Sequence, residues 1–166
     1  MAVLEKRGPG ALKIERITAT LGVTRGSFYW HFGSYQKFLQ ALTEKWAQDY
    51  TYIVGEALAG LKLPPRDKLR TAIHMIVENG QGGMDTNFRN LAISYPYLAS
   101  QVREVDIYRA RVITSLFEEL GFEGDQLRMR VHAFVVLHSM EHNVHSGLSQ
   151  KDLIALLEER LKFFTT

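Results

Sequence analysis

The sequence lacks several features that mark particular classes of protein. It contains no cysteine, which excludes disulfide frameworks, thiolate metal sites and cysteine nucleophiles. The longest continuous apolar run, residues 133–137, is far too short to span a membrane. Residues 1–7 reach charged side chains too early for a signal peptide. These absences predict a cytoplasmic protein without a membrane partner.

The charge of the chain is unevenly distributed. The 166 residues are 46% hydrophobic and 23% charged, which is ordinary for a soluble globular protein, and the formal net charge is +2. Residues 1–37 contain six basic and two acidic side chains, so they carry +4 and the remainder carries −2. Such asymmetry is a cue for a nucleic-acid or membrane partner, provided that the basic part also carries a motif.

Helical periodicity dominates the sequence. Apolar residues recur three and four positions apart between short clusters rich in Gly, Pro and Ser, and no run alternates as a β-strand does. This pattern predicts an all-α fold of about eight or nine helices. Ser34 is placed to cap a long helix that continues toward Leu58. Ser149 and Asp152 have the spacing of a capping box at the start of the last helix.

Residues 11–38 have the pattern of a helix-turn-helix. Ile14, Ile17 and Leu21 form one helical stripe. Gly22 follows at a point where a residue of positive φ lets the chain turn sharply, and Thr24 is a good N-cap for a second short helix. Two short helices joined by a glycine-containing turn define the helix-turn-helix arrangement.

The second of these helices has an inner and an outer face. Phe28 and Phe32, four residues apart, form the inner stripe. The residues that fall away from this stripe are Arg25, Ser27, Tyr29, Trp30 and His31. A merely solvated helix rarely exposes Tyr and Trp together. Since the second helix of a helix-turn-helix presents its N-terminal residues to base edges, the sequence predicts double-stranded DNA as a partner.

These residues resemble the DNA-binding segment of TetR-family transcriptional regulators. The similarity lies in residues 14–39, where residues 21–32 read Leu-Gly-Val-Thr-Arg-Gly-Ser-Phe-Tyr-Trp-His-Phe and a Ser-capped helix follows. The resemblance implies a homodimeric all-α regulator. It assigns residues 1–45 to a three-helix DNA-binding domain and residues 46–166 to a helical domain for effector binding and dimerisation.

The resemblance also implies roles for single residues. Thr24, Tyr29 and His31 match positions that contact the phosphate backbone, and Arg25, Ser27 and Trp30 match positions that read sequence. The further DNA-binding candidates are Gly26, for close approach to the backbone, and Lys13 and Lys37, for phosphate contacts.

This chain also departs from the family pattern. Lys13, Thr18 and Tyr35 stand where the family usually has Thr, Ala and Lys. The first helix before Gly8 is short for the family, so we expect either a shortened form or a native start upstream of Met1.

The C-terminal part carries wide apolar stripes, in residues 103–120, 126–146 and 149–165. Residues 126–146 are apolar nearly all round, and such a helix must be covered on both sides. The resemblance implies that the last two long helices pair with their copies in a homodimer. A core within one subunit explains the same stripes equally well.

Two polar groupings suggest other chemistry. His138, Glu141, His142 and His145 have spacings that would share one helix face and could bind Zn²⁺, although the fourth ligand of a closed site is missing. A second set combines polar groups with Met and aromatic residues, as small-molecule pockets do. Its candidates are His74, Met84, Phe88, Tyr95, Tyr97 and His138.

Taken together, the sequence predicts a ligand-responsive repressor that binds a palindromic operator as a homodimer. We expect no enzymatic activity, no cofactor and no metal, with an unidentified small-molecule effector as the second partner. The alternatives are a helical metal-dependent hydrolase that uses the face of His138, His142 and His145, and a helical interaction module that does not bind DNA.

Overall fold

A computed structural model describes residues 1–144 and 147–166. The described residues form helices and turns without a strand, which confirms the all-α prediction. The helices are α1 (Ala2–Arg7), α2 (Ile14–Leu21), α3 (Arg25–Phe32), α4 (Tyr35–Ala47), α5 (Ile53–Gly60), α6 (Pro65–Glu78), α7 (Gln81–Ser94), α8 (Ala99–Glu119), α9 (Gly124–Met140), α10 (Gln150–Ala155) and α11 (Leu157–Thr165). A π-helical turn, Gln48–Tyr52, joins α4 to α5, so the predicted long helix after Ser34 is confirmed with one irregular turn.

The predicted helix caps are present. The Ser34 hydroxyl accepts a hydrogen bond from the backbone N–H of Lys37 at 3.1 Å. The Ser149 hydroxyl accepts from the backbone N–H of Asp152, whose carboxylate accepts from the Ser149 N–H in return. Because each cap satisfies backbone donors that a helix start leaves unpaired, these helices begin where the sequence places them.

Three details of the sequence prediction are wrong. The helix expected over residues 126–146 ends at Met140 and passes into a 3₁₀ turn. The last helix, expected as one piece, is divided at Leu156 into α10 and α11. Leu21, at the end of its apolar stripe, is 64% exposed.

The physical reason for the early end of α9 is an ion pair just beyond it. Glu141 follows the last residue of α9, and both carboxylate oxygens accept hydrogen bonds from the Arg160 guanidinium on α11. This contact holds residues 141–143 against α11, and these residues form a 3₁₀ turn there.

Two main clusters of buried side chains form the core. The first joins the N-terminal helices to α7 and α8, and its centre is Trp46, which is fully buried and stacks on Phe88 at 4.7 Å between ring centroids. The second lies among α6, α8, α9 and α11 around Phe117 and Phe134. The first cluster attaches α4, which follows the helix-turn-helix, directly to the C-terminal helices.

Candidate DNA-binding surface and C-terminal cavity

The turn between α2 and α3 has the geometry that its sequence predicts. Gly22 adopts a left-handed conformation with φ of 67°, which a residue with a Cβ adopts only at a cost. The Val23 N–H donates to the Thr18 carbonyl at 3.0 Å, as in a Schellman motif. The Thr24 hydroxyl then accepts from the Ser27 N–H at 3.1 Å and begins α3. The helix-turn-helix is therefore fixed by local hydrogen bonds.

The inner face of α3 anchors it to α4. Phe28 is buried, and its ring lies 5.1 Å from Phe32 and 5.3 Å from Phe38, between centroids. On the outer face, Trp30 is 88% exposed and Tyr29 is 41% exposed. An indole that is almost completely in water contributes nothing to the core, so its position on α3 needs another explanation than stability.

All nine predicted DNA-contacting residues lie on the surface. They are Lys13, Thr24, Arg25, Gly26, Ser27, Tyr29, Trp30, His31 and Lys37. A Cβ on Gly26 would meet the Thr24 hydroxyl at an ordinary contact distance of 3.6 Å, so packing within the chain does not require glycine there. The Lys37 side chain passes close to Gly33, just beyond the end of α3.

Sequence reasoning missed the partner of Arg25. Its guanidinium lies 3.0 Å from the carboxylate of Glu15 on α2, and both side chains are more than half exposed. Exposed pairs of this kind contribute about 0–1 kcal/mol, so DNA can displace the carboxylate at little cost. The opposite charges of Glu15 on α2 and Arg25 on α3 were the signal from which this pair could have been predicted.

Tyr35, which stands where the family usually has Lys, has a structural role. Its hydroxyl donates to the Leu12 carbonyl and so ties the start of α4 to the segment before α2. Burial and the neighbouring Tyr95 raise the pKa of Tyr35 well above its usual range, which keeps the hydroxyl protonated. The position therefore supplies a fixed contact within the domain instead of a cation.

A buried ion pair connects α4, α7 and α8. Asp85 is fully buried and accepts hydrogen bonds from Trp46 Nε1 at 3.2 Å and from Arg109 Nη2 at 3.0 Å. The same guanidinium donates to the hydroxyls of Thr51, at 3.0 Å, and Ser139, at 3.2 Å. We call these five residues the buried network. Sequence reasoning missed this network, because its members are separated by up to 93 positions.

A small cavity of about 50 Å³ borders the buried network. Helices α5 to α9 and the turn before α5 supply its walls, which are almost entirely apolar. His138 on α9 also lines the cavity and is buried. Its Nδ1 lies 2.7 Å from the Phe134 carbonyl one turn earlier.

The structure brings only some of the predicted pocket residues together, since Met84 and His138 border a common groove that also runs along α10. Only His138 lines the cavity. Met84 and Phe88 are buried in the first core cluster, and Tyr95 and Tyr97 pack at its edge, toward Tyr35. His74 is half-buried on α6, with Nδ1 3.1 Å from the Glu78 carboxylate. The six residues are distributed over α6, α7, α9 and the segment between α7 and α8, which holds Tyr95 and Tyr97.

The candidate zinc face is not formed as one helix face. Since α9 ends at Met140, Glu141 and His142 lie in the following 3₁₀ turn, and His145 lies outside the described residues. In residues 1–144 and 147–166, no group of three His, Asp or Glu side chains is arranged to hold a metal ion. In those same residues, no helix combines the length and apolar character needed to cross a membrane.

Comparison with known proteins agrees with this geometry. Residues 1–42 match the family model of "Bacterial regulatory proteins, tetR family". A curated relative, the "HTH-type transcriptional repressor DhaR" of Mycobacterium sp. (strain GP1), is 31% identical over 88 residues. That alignment covers 52% of this chain and 44% of the relative, so the chain spans less than half of the relative's length. The N-terminal segment of this chain, which holds the helix-turn-helix, is therefore similar to the DNA-binding segment of the tetR family of bacterial regulatory proteins.

Proposed function

We propose that this protein is a transcriptional repressor that binds duplex DNA through α3, as a homodimer, in the cytoplasm. The observation that carries the proposal is the outer face of α3, where Trp30 and Tyr29 are exposed beside Arg25 on a firmly capped helix. The repressor name of the similar mycobacterial protein supports the same direction of regulation. In this proposal residues 1–45 contact DNA and residues 46–166 bind effector and partner, and the chain performs no catalytic step.

The chemistry of the surface distinguishes two kinds of contact. The Arg25 guanidinium can donate to both O6 and N7 of one guanine, a contact that contributes about 1–3 kcal/mol of discrimination. The hydroxyls of Thr24 and Tyr29, and the charge of Lys37, suit phosphate oxygens, which position the helix without reading sequence. On binding, a base edge replaces Glu15 as the partner of Arg25.

An uncovered apolar face supports the homodimer. On α9, Met129 is 64% exposed, Val136 is 44% exposed and Met140 is 38% exposed, and Ile107 on the neighbouring α8 is 52% exposed. Ile107, Val136 and Met140 border one groove between the two helices. A two-fold partner that covers this face would set two α3 helices about 34–36 Å apart, one turn of DNA, and so require a palindromic site.

A selection from random duplex DNA tests the proposal. We expect enrichment of a palindrome whose half-sites are about one helical turn apart. Failure to enrich any sequence would contradict DNA reading, and enrichment of a single half-site would contradict the dimer. Both results are obtained from the unmodified protein.

Binding of protein variants to the selected DNA sequence distinguishes residues that read bases from residues that contact phosphates. We expect Arg25→Ala to relax the base preference at one position of each half-site. Lys37→Ala should weaken binding to all DNA sequences by a similar factor. It should also lower the slope of log affinity against log salt concentration by about 1 per subunit. Lys151→Ala, an exposed lysine on α10, is the matched control and should change neither quantity.

A further inference from the structure

The cavity beside the buried network offers an unusual donor and acceptor set. Three of its polar side chains are already paired, because Arg109 bonds to Thr51 and Ser139 within the buried network. Among the described residues, the remaining buried side-chain atom of the lining that has no hydrogen-bond partner is Nε2 of His138. A buried polar atom without a partner is costly, which makes this atom the natural contact for a ligand.

The geometry fixes which ring nitrogen of His138 accepts. Nδ1 lies 2.7 Å from the Phe134 carbonyl, and because a carbonyl oxygen only accepts, Nδ1 carries the hydrogen. In a neutral imidazole the other nitrogen then has a free lone pair. Burial, with a further contribution from Arg160, lowers the pKa of His138 to about 4, so the ring is neutral at physiological pH. Nε2 is therefore a hydrogen-bond acceptor.

The cavity also selects against charged ligands. The charged side chain in its lining is Arg109, and its guanidinium is neutralised by the fully buried carboxylate of Asp85. A carboxylate or ammonium entering the cavity would lose its hydration without meeting an unpaired opposite charge among the described residues, which is strongly unfavourable. Most of the accessible surface of the wall is apolar, and Val54, Leu58 and Ile113 are among the residues that supply it.

We propose that this cavity binds a small uncharged molecule with one hydrogen-bond donor, such as a short-chain alcohol, whose O–H donates to His138 Nε2. The apolar part of the ligand lies against Val54, Leu58 and Ile113. The assignment of this ligand as the effector rests on the proposed function, but binding itself does not. Size is limited, because about 50 Å³ accommodates only a few non-hydrogen atoms unless Tyr108, which packs tightly over Gly55, moves.

Titration of the ¹⁵N-histidine-labelled protein tests the proposal. The probes are primary alcohols from methanol to 1-hexanol, diethyl ether as the isomer of 1-butanol that cannot donate, and propionate and butylammonium as charged analogues. We expect a saturable shift of the His138 Nε2 resonance with at least one alcohol. The ether and propionate have no hydrogen to donate to the acceptor, and both ions would lose their hydration in the cavity. All three should therefore bind about tenfold more weakly or not at all.

Two variants establish where the probe binds. His138→Phe keeps an aromatic ring but removes the acceptor, so the advantage of the alcohol over the ether, measured by thermal shift, should disappear. His132→Gln changes an exposed histidine on the same helix and should leave that advantage unchanged. An equal response of both variants would overturn the assignment to His138, even if the His138→Phe protein were less stable.

The remaining outcomes distinguish this proposal from the proposed function. Equal affinity for alcohol and ether would overturn selection for a donor. No saturable shift with any alcohol would mean that the cavity holds water only, and would overturn the ligand proposal. If the same protein still enriched a palindrome, the proposal of DNA binding would remain supported although the ligand proposal had failed. Alcohol binding without any DNA enrichment would instead contradict the proposed function and leave the ligand site standing.

Discussion

The buried imidazole of His138 makes stability depend on pH in a defined window. Its pKa falls from 6.5 in the unfolded chain to about 4 in the folded protein, chiefly because burial penalises the charged ring. Arg160 lowers it further, whereas the Phe134 carbonyl and Glu141 raise it. Between these two pH values the unfolded chain binds a proton that the folded protein does not. The contribution of His138 to the free energy of unfolding is therefore complete above about pH 6.5 and is lost progressively as the pH falls toward 4.

The size of the effect follows from the two pKa values. Each unit of difference corresponds to about 1.4 kcal/mol, so the window accounts for about 3 kcal/mol of the free energy of unfolding. Below about pH 4 both the folded and the unfolded state bind the proton, so His138 no longer makes the free energy of unfolding depend on pH. Because marginal stability is about 5–15 kcal/mol for a typical domain, the loss is easily measured.

Urea unfolding followed by circular dichroism at pH 7 and pH 4 measures this difference. We expect the wild type to lose about 3 kcal/mol more between the two pH values than His138→Phe does. The His132→Gln variant should behave as the wild type, because its histidine is exposed. If His138→Phe and the wild type lost the same free energy over this interval, the reasoning from burial would be refuted.

Two further predictions concern the buried network and the turn. Asp85→Asn should lower the free energy of unfolding by about 3–5 kcal/mol, because it leaves the Arg109 guanidinium buried without its carboxylate. Glu158→Gln, which removes the exposed partner of Arg70, is the control in urea unfolding. Equally small losses in both variants would contradict the prediction. Gly22→Ala should cost about 1–2 kcal/mol, because it forces an L residue to a φ of 67°. Gly10→Ala, where φ is not positive and the site is open, is the matched control, and equal losses would rule out strain at the turn.

The parts of the structure that sequence reasoning predicted correctly depend on short-range signals. The left-handed Gly22, the Thr24 cap and the Ser149–Asp152 capping box each involve residues within a few positions of one another. Such local hydrogen bonds need no knowledge of tertiary packing. The same holds for the inner face of α3, since Phe28 and its neighbours follow helical periodicity.

The parts that were missed depend on contacts between distant segments. The early end of α9 follows from the contact between Glu141 and Arg160, which no local breaker announces. The predicted pocket residues are dispersed because composition cannot say which faces of α6 and α7 point inward: Phe88 stacks on Trp46, whereas the His74 ring lies beside the Glu78 carboxylate. Among the predicted pocket residues, His138 alone lines the cavity.

The buried network gives the proposed ligand control of DNA binding a physical route. Asp85 bonds both Trp46 on α4 and Arg109 in the cavity wall, so a ligand that shifts Arg109 must either move Trp46 or break a buried hydrogen bond. Helix α4 is 13 residues long, about 20 Å, and its other end packs against α3 through Phe38. Phe38 and Trp46 lie eight residues, about 12 Å, apart along α4, so a rotation of about 5° at Trp46 displaces α3 by roughly 1 Å. In the proposed homodimer the two displacements would add and would change the spacing of the two α3 helices relative to the proposed half-sites one turn apart.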